Sequence, residues 1–159
     1  METPSRQQID SGPTATAAVI FDCDGTLCDT EGAYMESFNH AICSYKPEVT
    51  GLPDRAQWGT SYAGQGYSVI SPRAVEDFGL PCTAEQLTAA SKARFAEMTA
   101  ESGSIKAYSG FDELFEAARS RGLRVAVASS SDGAGLRQKL QNGLLAHARS
   151  IGSLDEFDL

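Results

Sequence analysis

Residues 17–26 read AAVIFDCDGT, so the chain passes from five apolar residues to two acids and a glycine within ten positions. A short apolar run that ends abruptly in charge is typical of a strand buried on both faces, as in a parallel sheet. Residues 123–128, LRVAVA, form a second such run, which ends in Ser129, Ser130 and Ser131. Because neighbouring parallel strands end at the same edge of a sheet, we expect the two polar ends to lie side by side.

Apolar residues outside these two runs recur at helical spacing. Prolines and glycines divide residues 46–82 into shorter pieces, with short helices predicted over 54–59 and 72–78. A firmer helix begins after Thr83, where Gln86 completes a capping box. The sequence therefore predicts an α/β fold, a Rossmann-like parallel sheet core with an inserted α-helical segment. The helical stripes are Tyr34, Met35, Phe38, Ala41 and Ile42; Leu87, Ala90, Phe95 and Met98; Phe111, Leu114, Phe115 and Ala118, capped by Ser109; and Leu136, Leu140 and Leu144.

The charge balance excludes several classes of partner. The chain has 13 Lys and Arg against 21 Asp and Glu, a formal net charge of −8, so we expect neither nucleic acid nor an anionic membrane surface as a partner. No apolar run reaches the length of a membrane span. Four cysteines and two histidines lack zinc-site spacing, which indicates free thiols in a reducing compartment. We expect the cytoplasm, with an organelle interior as the alternative.

Asp22 and Asp24 are candidates for metal binding and for catalysis. On a chain that is still nearly extended, residues two apart point to the same side. Two carboxylates on one side attract a divalent cation, and Mg²⁺ fits best because the donors are hard oxygens without His or Cys. One carboxylate could act as a nucleophile and the other as a general acid and base. The alternative is a simple turn, in which Asp is favoured for its local hydrogen bonds.

Groups around the two acids suit a phosphate. Gly25 lets the backbone approach an anion closely, and loop amides can surround phosphate oxygens. The hydroxyl groups of Thr26, Ser129 and Ser130 are candidate donors to the same oxygens. The two strand ends together therefore predict a phosphate-binding edge of the sheet.

These two motifs resemble those of the haloacid dehalogenase-like superfamily. Residues 21–30, FDCDGTLCDT, resemble its first motif, an apolar strand followed by DxDGT and a further Asp. Residues 125–131, VAVASSS, resemble its second motif, a buried strand that ends in Ser or Thr. The helical segment between them is similar to the cap of members whose insert follows the first motif. The resemblance implies a core over 17–30 and 105–159 and a helical cap over 31–104, whereas the polar composition of the first residues predicts a flexible tail over 1–16.

The resemblance also implies a role for each matching residue. Asp22 would be the phosphoryl-accepting nucleophile and a Mg²⁺ ligand. Asp24 would be the general acid and base, with its backbone carbonyl on the metal, and Ser129 would hold a phosphoryl oxygen. An acid at position 24 fits phosphatases and phosphomutases, but Tyr34 stands where the β-phosphoglucomutase branch carries a His. Hydrolysis of a small phosphorylated metabolite is therefore favoured over isomerisation.

Two of the family's four motifs have no match in this sequence. The third supplies a Lys and the fourth supplies acids that complete the Mg²⁺ shell, whereas Lys46, Lys92, Lys106 and Lys139 all fall in other elements. We therefore expect a truncated product or a fragment of a longer phosphatase, with an exposed first strand and weak or no activity. The competing hypothesis is a non-catalytic remnant or binding module of the same fold. Trp58, Tyr62 and Tyr67 could line the substrate side of the cap, but packing between cap and core is favoured.

Overall fold

The structure is a computed structural model, and it describes residues 18–131 and 133–148. The predicted tail over 1–16 and the predicted approach to a third strand over 154–159 lie outside the described residues. In chain order the elements are β1 (Ala18–Asp22), β2 (Cys28–Asp29), α1 (Glu31–Tyr45), α2 (Arg55–Ser61), α3 (Tyr67–Phe78), α4 (Ala84–Met98), β3 (Lys106–Ala107), α5 (Phe111–Ser120), β4 (Arg124–Ala128), α6 (Gly133–Lys139), a π-helical turn (Leu140–Leu144) and α7 (Leu145–His147).

The two predicted strands pair in parallel. In the register of β1 and β4, Ala18 lies opposite Arg124 and Asp22 lies opposite Ala128. This register brings Asp22 and the residues after Ala128 to the same edge of the sheet. A second pair of strands is antiparallel and joins β2, which precedes the helical segment α1–α4, to β3, which follows it. The prediction of an α/β fold with a parallel sheet is confirmed.

The prediction that both strands are buried on both faces is wrong. Ile20 in β1 is 67% exposed, and in β4 only Val125 and Val127 are buried. One face of β4 packs into an apolar cluster that includes Phe115 and Leu140. Within the described ranges β1 pairs with β4 alone, and the exposed edge expected for the first strand stays a prediction.

The helical segment formed by α1–α4 has an apolar cluster of its own. Phe38, Ala41 and Ile42 of α1 are fully buried in it, which confirms the predicted stripe. The capping box at Thr83 is also present, with Gln86 donating its backbone N–H to the Thr83 hydroxyl. The sheet-side cluster contains a separate set of residues, so the two apolar clusters form independently along the chain.

Two predicted helix starts are wrong. The helix predicted over 72–78 begins earlier, at Tyr67, and contains Pro72 in its interior. Proline removes one backbone hydrogen bond, but Ile70 in the preceding turn is buried in the helical cluster, and this packing holds the earlier turn in place. Helix α5 is preceded by Gly110 rather than capped by Ser109, because its entry requires a φ of 89° that favours glycine.

The described part of the chain contains neither a disulfide nor a helix that is long and apolar enough to cross a membrane. All four cysteines are free thiols, and Cys23 and Cys28 are fully buried. Gly143, in the π-helical turn, lies directly against Cys28. A Cβ at this position would lie 3.0 Å from the Cys28 sulfur and 3.1 Å from an Ile105 methyl group, so a larger residue would require these side chains to shift.

Phe115 and Leu114 offer a matched test of the sheet-side core. Phe115 is 1% exposed, whereas its neighbour Leu114 is 59% exposed. We expect Phe115→Ala to lower the free energy of unfolding by about 3–5 kcal/mol, because it leaves a cavity in the core. Leu114→Ala should change it by less than about 0.5 kcal/mol. Urea unfolding followed by circular dichroism measures both, and equal losses in the two variants would contradict the fold.

Candidate active site

A cavity of about 780 Å³ lies between the end of the parallel sheet and the helical segment. Its polar end contains residues from β1, from the residues after β4 and from α6. Its other end contains aromatic side chains from α1 to α4. The polar end is lined by Asp22, Asp24, Ser130, Ser131 and Lys139, and the aromatic end by Tyr34, Trp58, Tyr62, Tyr67 and Phe95.

The Asp24 carboxylate is held by three donors. The Thr30 hydroxyl donates to Oδ1 over 2.7 Å. The Lys139 ammonium donates to Oδ2 over 2.5 Å, and the Ser131 hydroxyl donates to the same oxygen over 3.3 Å. Thr30 occupies the cap position of α1 but makes no side-chain cap bond, since its hydroxyl holds Asp24 instead. The carboxylate therefore has one fixed orientation towards the cavity.

Lys139 is the functional residue that the sequence interpretation missed. The expectation that no lysine reaches the two acids is wrong, because the Lys139 side chain is 2% exposed and lies against Asp24. Side chains on a helix lean towards its N-terminus, so the stem of Lys139 points back along α6 towards Ser131. The Lys139 ammonium donates to the Ser131 hydroxyl over 2.6 Å. The signal was present in the spacing, since Lys139 lies three residues after Leu136 on the same apolar stripe.

The charge state of Lys139 follows from its neighbours. Burial is the largest influence and lowers the pKa of its ammonium, because it disfavours the charged form. The hydrogen bond to Asp24 and the negative charge of Asp24 act in the opposite direction, and the pKa is raised overall. The ammonium is therefore positively charged at neutral pH.

Asp22 differs from Asp24 in being exposed. Its Oδ1 accepts the backbone N–H of Cys23 over 2.8 Å. Within the described ranges its Oδ2 has no hydrogen-bond partner. The paired acids thus have unequal surroundings, because Asp24 is immobilised by a cation and two hydroxyls whereas Asp22 keeps one oxygen open to the cavity.

Tyr34 lies between the two ends of the cavity. Its hydroxyl accepts a hydrogen bond from the Lys139 ammonium over 3.3 Å, and its ring stacks on Phe95 with centroids 4.3 Å apart. Burial, followed by the negative charge of Asp24, raises the pKa of Tyr34. The phenol therefore stays protonated at neutral pH and presents a neutral hydroxyl to the cavity.

The backbone amides of the loop after β1 donate hydrogen bonds to carbonyl groups of the same loop. Gly25 has a φ of 73°, a left-handed conformation that favours glycine, and its N–H donates to the Cys28 carbonyl over 2.9 Å. The N–H of Thr26 points to the Cys23 carbonyl over 3.4 Å. These amides could bind phosphate only if they exchanged their hydrogen bonds to the loop carbonyls for bonds to phosphate oxygens. Phosphate binding by Gly25 and Thr26 therefore stays a prediction.

The serines after β4 approach the cavity unequally. Ser130 and Ser131 line it, whereas Ser129 is not among its lining residues within the described part of the chain. The Ser129 hydroxyl accepts the N–H of Ser131 over 3.2 Å, which tightens the turn after the strand. Phosphate binding by Ser129 and Ser130 stays a prediction, and Ser131 joins them as a residue that contacts Asp24.

The thiols beside the two acids pack into the core. The hydrogen bond between Cys23 and Cys28, followed by burial, raises the pKa of the Cys23 thiol. Both side chains are fully buried, so the two thiols fill space under the loop, as the sequence interpretation favoured.

The residues present fit a hydrated Mg²⁺ ion with few protein ligands. No group of three or more His, Cys, Asp or Glu side chains converges within the described ranges. The Asp24 carboxylate is already bound to Lys139, so the donors left are the Asp22 carboxylate and the Asp24 backbone carbonyl. Mg²⁺ in enzymes commonly keeps several waters and uses one or two carboxylates together with a substrate phosphate. This donor set meets that requirement.

Comparisons with known proteins find relatives for most of the chain. A family model for haloacid dehalogenase-like hydrolases matches residues 16–155. YhcW of Bacillus subtilis strain 168, which carries the name of a phosphatase, is 30% identical over 146 residues, covering 89% of this chain and 58% of YhcW. The bifunctional riboflavin kinase/FMN phosphatase of Arabidopsis thaliana is 26% identical over 125 residues, covering 79% of this chain and 31% of that protein. The chain thus spans less than two thirds of the length of either relative.

Solved structures share the fold. A predicted phosphoglycolate phosphatase from Haemophilus somnus 129pt superposes with a TM-score of 0.68 at 20% identity, covering 89% of this chain and 67% of that one. CbbY from Rhodobacter sphaeroides, solved in complex with phosphate, superposes with a TM-score of 0.61 at 24% identity, covering 81% of this chain and 57% of that one. At these identities the likeness shows the α/β architecture.

Removal of Asp24 and removal of Lys139 should lower the free energy of unfolding by different amounts, although each substitution breaks the same ion pair. Asp24→Ala leaves an ammonium that is 2% exposed without its counter-ion, and we expect a loss of about 3–5 kcal/mol in the free energy of unfolding. Lys139→Met should cost less, because the Asp24 side chain is 21% exposed and keeps its two hydroxyl donors. Guanidinium unfolding of both variants measures the difference.

The double variant and a surface pair provide the controls. Asp24→Ala combined with Lys139→Met should lose less stability than the sum of the single losses, because the stranded charge is removed. Glu97→Ala breaks an exposed ion pair with Arg94 and should change the free energy of unfolding by at most about 1 kcal/mol. Additive losses in the double variant would contradict a buried pair.

Proposed function

The chain belongs to the haloacid dehalogenase-like hydrolase family, and from that premise we propose that it hydrolyses phosphomonoesters of small metabolites through a phosphoryl group held on Asp22. The observation that carries the proposal is the pair of acids at the end of β1 with unequal surroundings. Asp22 is exposed with one open oxygen, whereas Asp24 is fixed by Lys139, Thr30 and Ser131. A nucleophile needs an open oxygen, and an acid and base needs a fixed orientation.

The reaction has two steps in this proposal. In the first, the Asp22 Oδ2 atom attacks phosphorus and the bond from phosphorus to the ester oxygen breaks. Asp24 enters this step with the proton that it took from water in the preceding turnover, donates that proton to the leaving oxygen, and becomes the carboxylate that pairs with Lys139. In the second, Asp24 takes a proton from a water molecule, which attacks the phosphoryl group and breaks the bond to Asp22. The products are an alcohol and inorganic phosphate, and both acids return to their starting states.

Positive charge at the phosphoryl group comes from two sources. The Lys139 ammonium lies at the polar end of the cavity, where it offsets the negative charge brought by the phosphate. A Mg²⁺ ion bound by the Asp22 carboxylate and the Asp24 carbonyl would supply further neutralisation of the phosphoryl oxygens. Lys139 provides the cation that the sequence interpretation considered missing, and this supports catalysis by the described residues.

The helical segment acts as the cap in this proposal, with residues 31–104 covering a core formed by 17–30 and 105–159. Support comes from the two separate apolar clusters and from the cavity between them. A cavity closed on one side by helices admits a small phosphorylated metabolite and limits the access of water to the phosphoryl group.

A second candidate is a phosphate-binding module without turnover. The observation that favours it is the saturation of the Asp24 carboxylate by an ammonium and two hydroxyls, which leaves proton transfer dependent on the exchange of these bonds. Such a module would bind phosphate at the cavity but would not release an alcohol from an ester. Turnover therefore separates the two candidates.

Hydrolysis of p-nitrophenyl phosphate by the 159-residue chain in the presence of Mg²⁺ tests the proposal. We expect turnover that falls about a thousandfold or more in Asp22→Asn, because the amide cannot accept the phosphoryl group. Asp77→Asn is the matched control, since Asp77 is exposed on α3 and does not line the cavity. Acid quenching followed by peptide mass spectrometry should find a phosphoryl group on Asp22.

The outcomes discriminate between the candidates. Turnover that survives Asp22→Asn would exclude Asp22 as the nucleophile. Binding of inorganic phosphate by calorimetry without any turnover would favour the binding module.

A further inference from the structure

We propose that the cavity binds phosphomonoesters whose alcohol part carries a flat aromatic ring, in preference to sugar phosphates and other ringless esters. The inference rests on the proposed function, because it takes the phosphoryl group to lie at Asp22 and the alcohol part to extend towards α1–α4. It concerns the aromatic end of the cavity, which the reaction steps do not use.

Aromatic rings form much of the surface that the alcohol part would meet. Tyr34, Tyr67 and Phe95 are partly exposed and line the cavity on the side of the helical segment. Behind them Trp58 and Tyr62 stack with ring centroids 5.4 Å apart, and they are 5% and 8% exposed. Trp58, Tyr62 and Tyr67 therefore line this cavity, which was the alternative to packing between cap and core, while Trp58 and Tyr62 are also buried in the apolar cluster of the helical segment.

Most of the polar side chains of this wall already have a hydrogen-bond partner inside the protein, with the Lys92 ammonium as the exception. The Tyr67 hydroxyl lies 3.0 Å from the Ser91 hydroxyl, and the Trp58 indole N–H donates to Glu31 over 2.9 Å. Three further polar side chains also have partners: the Thr88 hydroxyl with Ser71 and the Ala84 carbonyl, the Gln138 amide N–H with the Thr99 carbonyl, and the Gln65 amide N–H with the Ser61 carbonyl. The wall thus offers apolar surface and few hydrogen-bond partners.

This pattern discriminates between classes of alcohol. A sugar buried here would exchange hydrogen bonds to water for contact with apolar rings, and each hydroxyl left without a partner carries a desolvation cost. An aromatic ring has no such cost, and it gains apolar burial together with ring–ring contacts. The cavity therefore binds a phosphomonoester of an aromatic alcohol more tightly than a sugar phosphate with the same phosphate charge.

Lys92 adds to the preference. Its ammonium lies 5.9 Å from the centroid of the Tyr67 ring at the edge of the cavity. No carboxylate lies within ion-pair distance of Lys92 in the described part of the chain. A cation at this position attracts the electron-rich face of an aromatic ring.

Trp58 provides the measurement. It is the only tryptophan in the sequence, so the intrinsic tryptophan fluorescence of the protein reports on the aromatic end of the cavity. We expect titration without Mg²⁺ to show that phenyl phosphate changes the emission and binds at least about tenfold more tightly than glycerol 3-phosphate. Calorimetry of the same two esters, with inorganic phosphate as the ringless reference, measures the affinities independently of fluorescence.

Two phenylalanines of the helical segment make a matched pair of variants. Phe95→Leu keeps an apolar side chain but removes a ring from the cavity, and it should reduce the preference for phenyl phosphate about three- to tenfold. Phe78→Leu removes a ring of similar exposure that does not line the cavity, and it should leave the preference unchanged. If a variant fails to fold, the affinities of the unmodified chain for phenyl phosphate and glycerol 3-phosphate still test the inference.

The possible failures are distinguishable. Equal affinity for the two esters, or a preference that Phe95→Leu and Phe78→Leu reduce alike, overturns the inference even where Asp22-dependent turnover establishes the phosphatase. Tight binding of phenyl phosphate without turnover overturns the proposed function and supports the aromatic preference of the cavity. Loss of both turnover and preference overturns both.

Discussion

The buried ion pair between Lys139 and Asp24 links the two halves of the structure. Its ammonium comes from the helix after β4, its carboxylate comes from the loop after β1, and its neighbour Tyr34 comes from the first helix of the helical segment. Breaking such a pair leaves a charge in a medium that solvates it poorly, so the three elements are held at one point. The parallel register of β1 and β4 makes this meeting possible, because it ends both strands at the same edge.

This constraint produces the asymmetry of the two acids. Asp24 receives hydrogen bonds from Lys139, Thr30 and Ser131, whereas Asp22, two residues earlier, remains exposed with one open oxygen. The positive charge of Lys139 thus serves the stability of the loop and the electrostatics of the cavity at the same time. A chain with a net charge of −8 places a cation at the polar end of the cavity, where the proposed function puts the phosphoryl group, so local placement of charge can differ from the overall balance.

The helical segment contributes a different kind of chemistry. Several of its polar side chains form hydrogen bonds within the protein, and five aromatic residues line the cavity on this side. The sheet edge provides charge and hydrogen bonds, and the helices provide apolar shape. One cavity therefore combines a polar end suited to a phosphoryl group with an aromatic end suited to the group attached to it.

Local pattern accounts for most of the elements of this protein. The apolar runs before Asp22 and Ser129 identify the two strands, the stripe through Phe38 and Ile42 identifies α1, and the capping box at Thr83 identifies α4, because each signal depends on neighbours in the chain. The exposure of Ile20 and the burial of Lys139 could not be inferred in this way. Both depend on what covers a residue from elsewhere in the chain, and long-range packing leaves no signature in the spacing of nearby residues. Helical spacing put Lys139 on the apolar stripe, but the partner that makes its burial favourable lies 115 residues away, at Asp24.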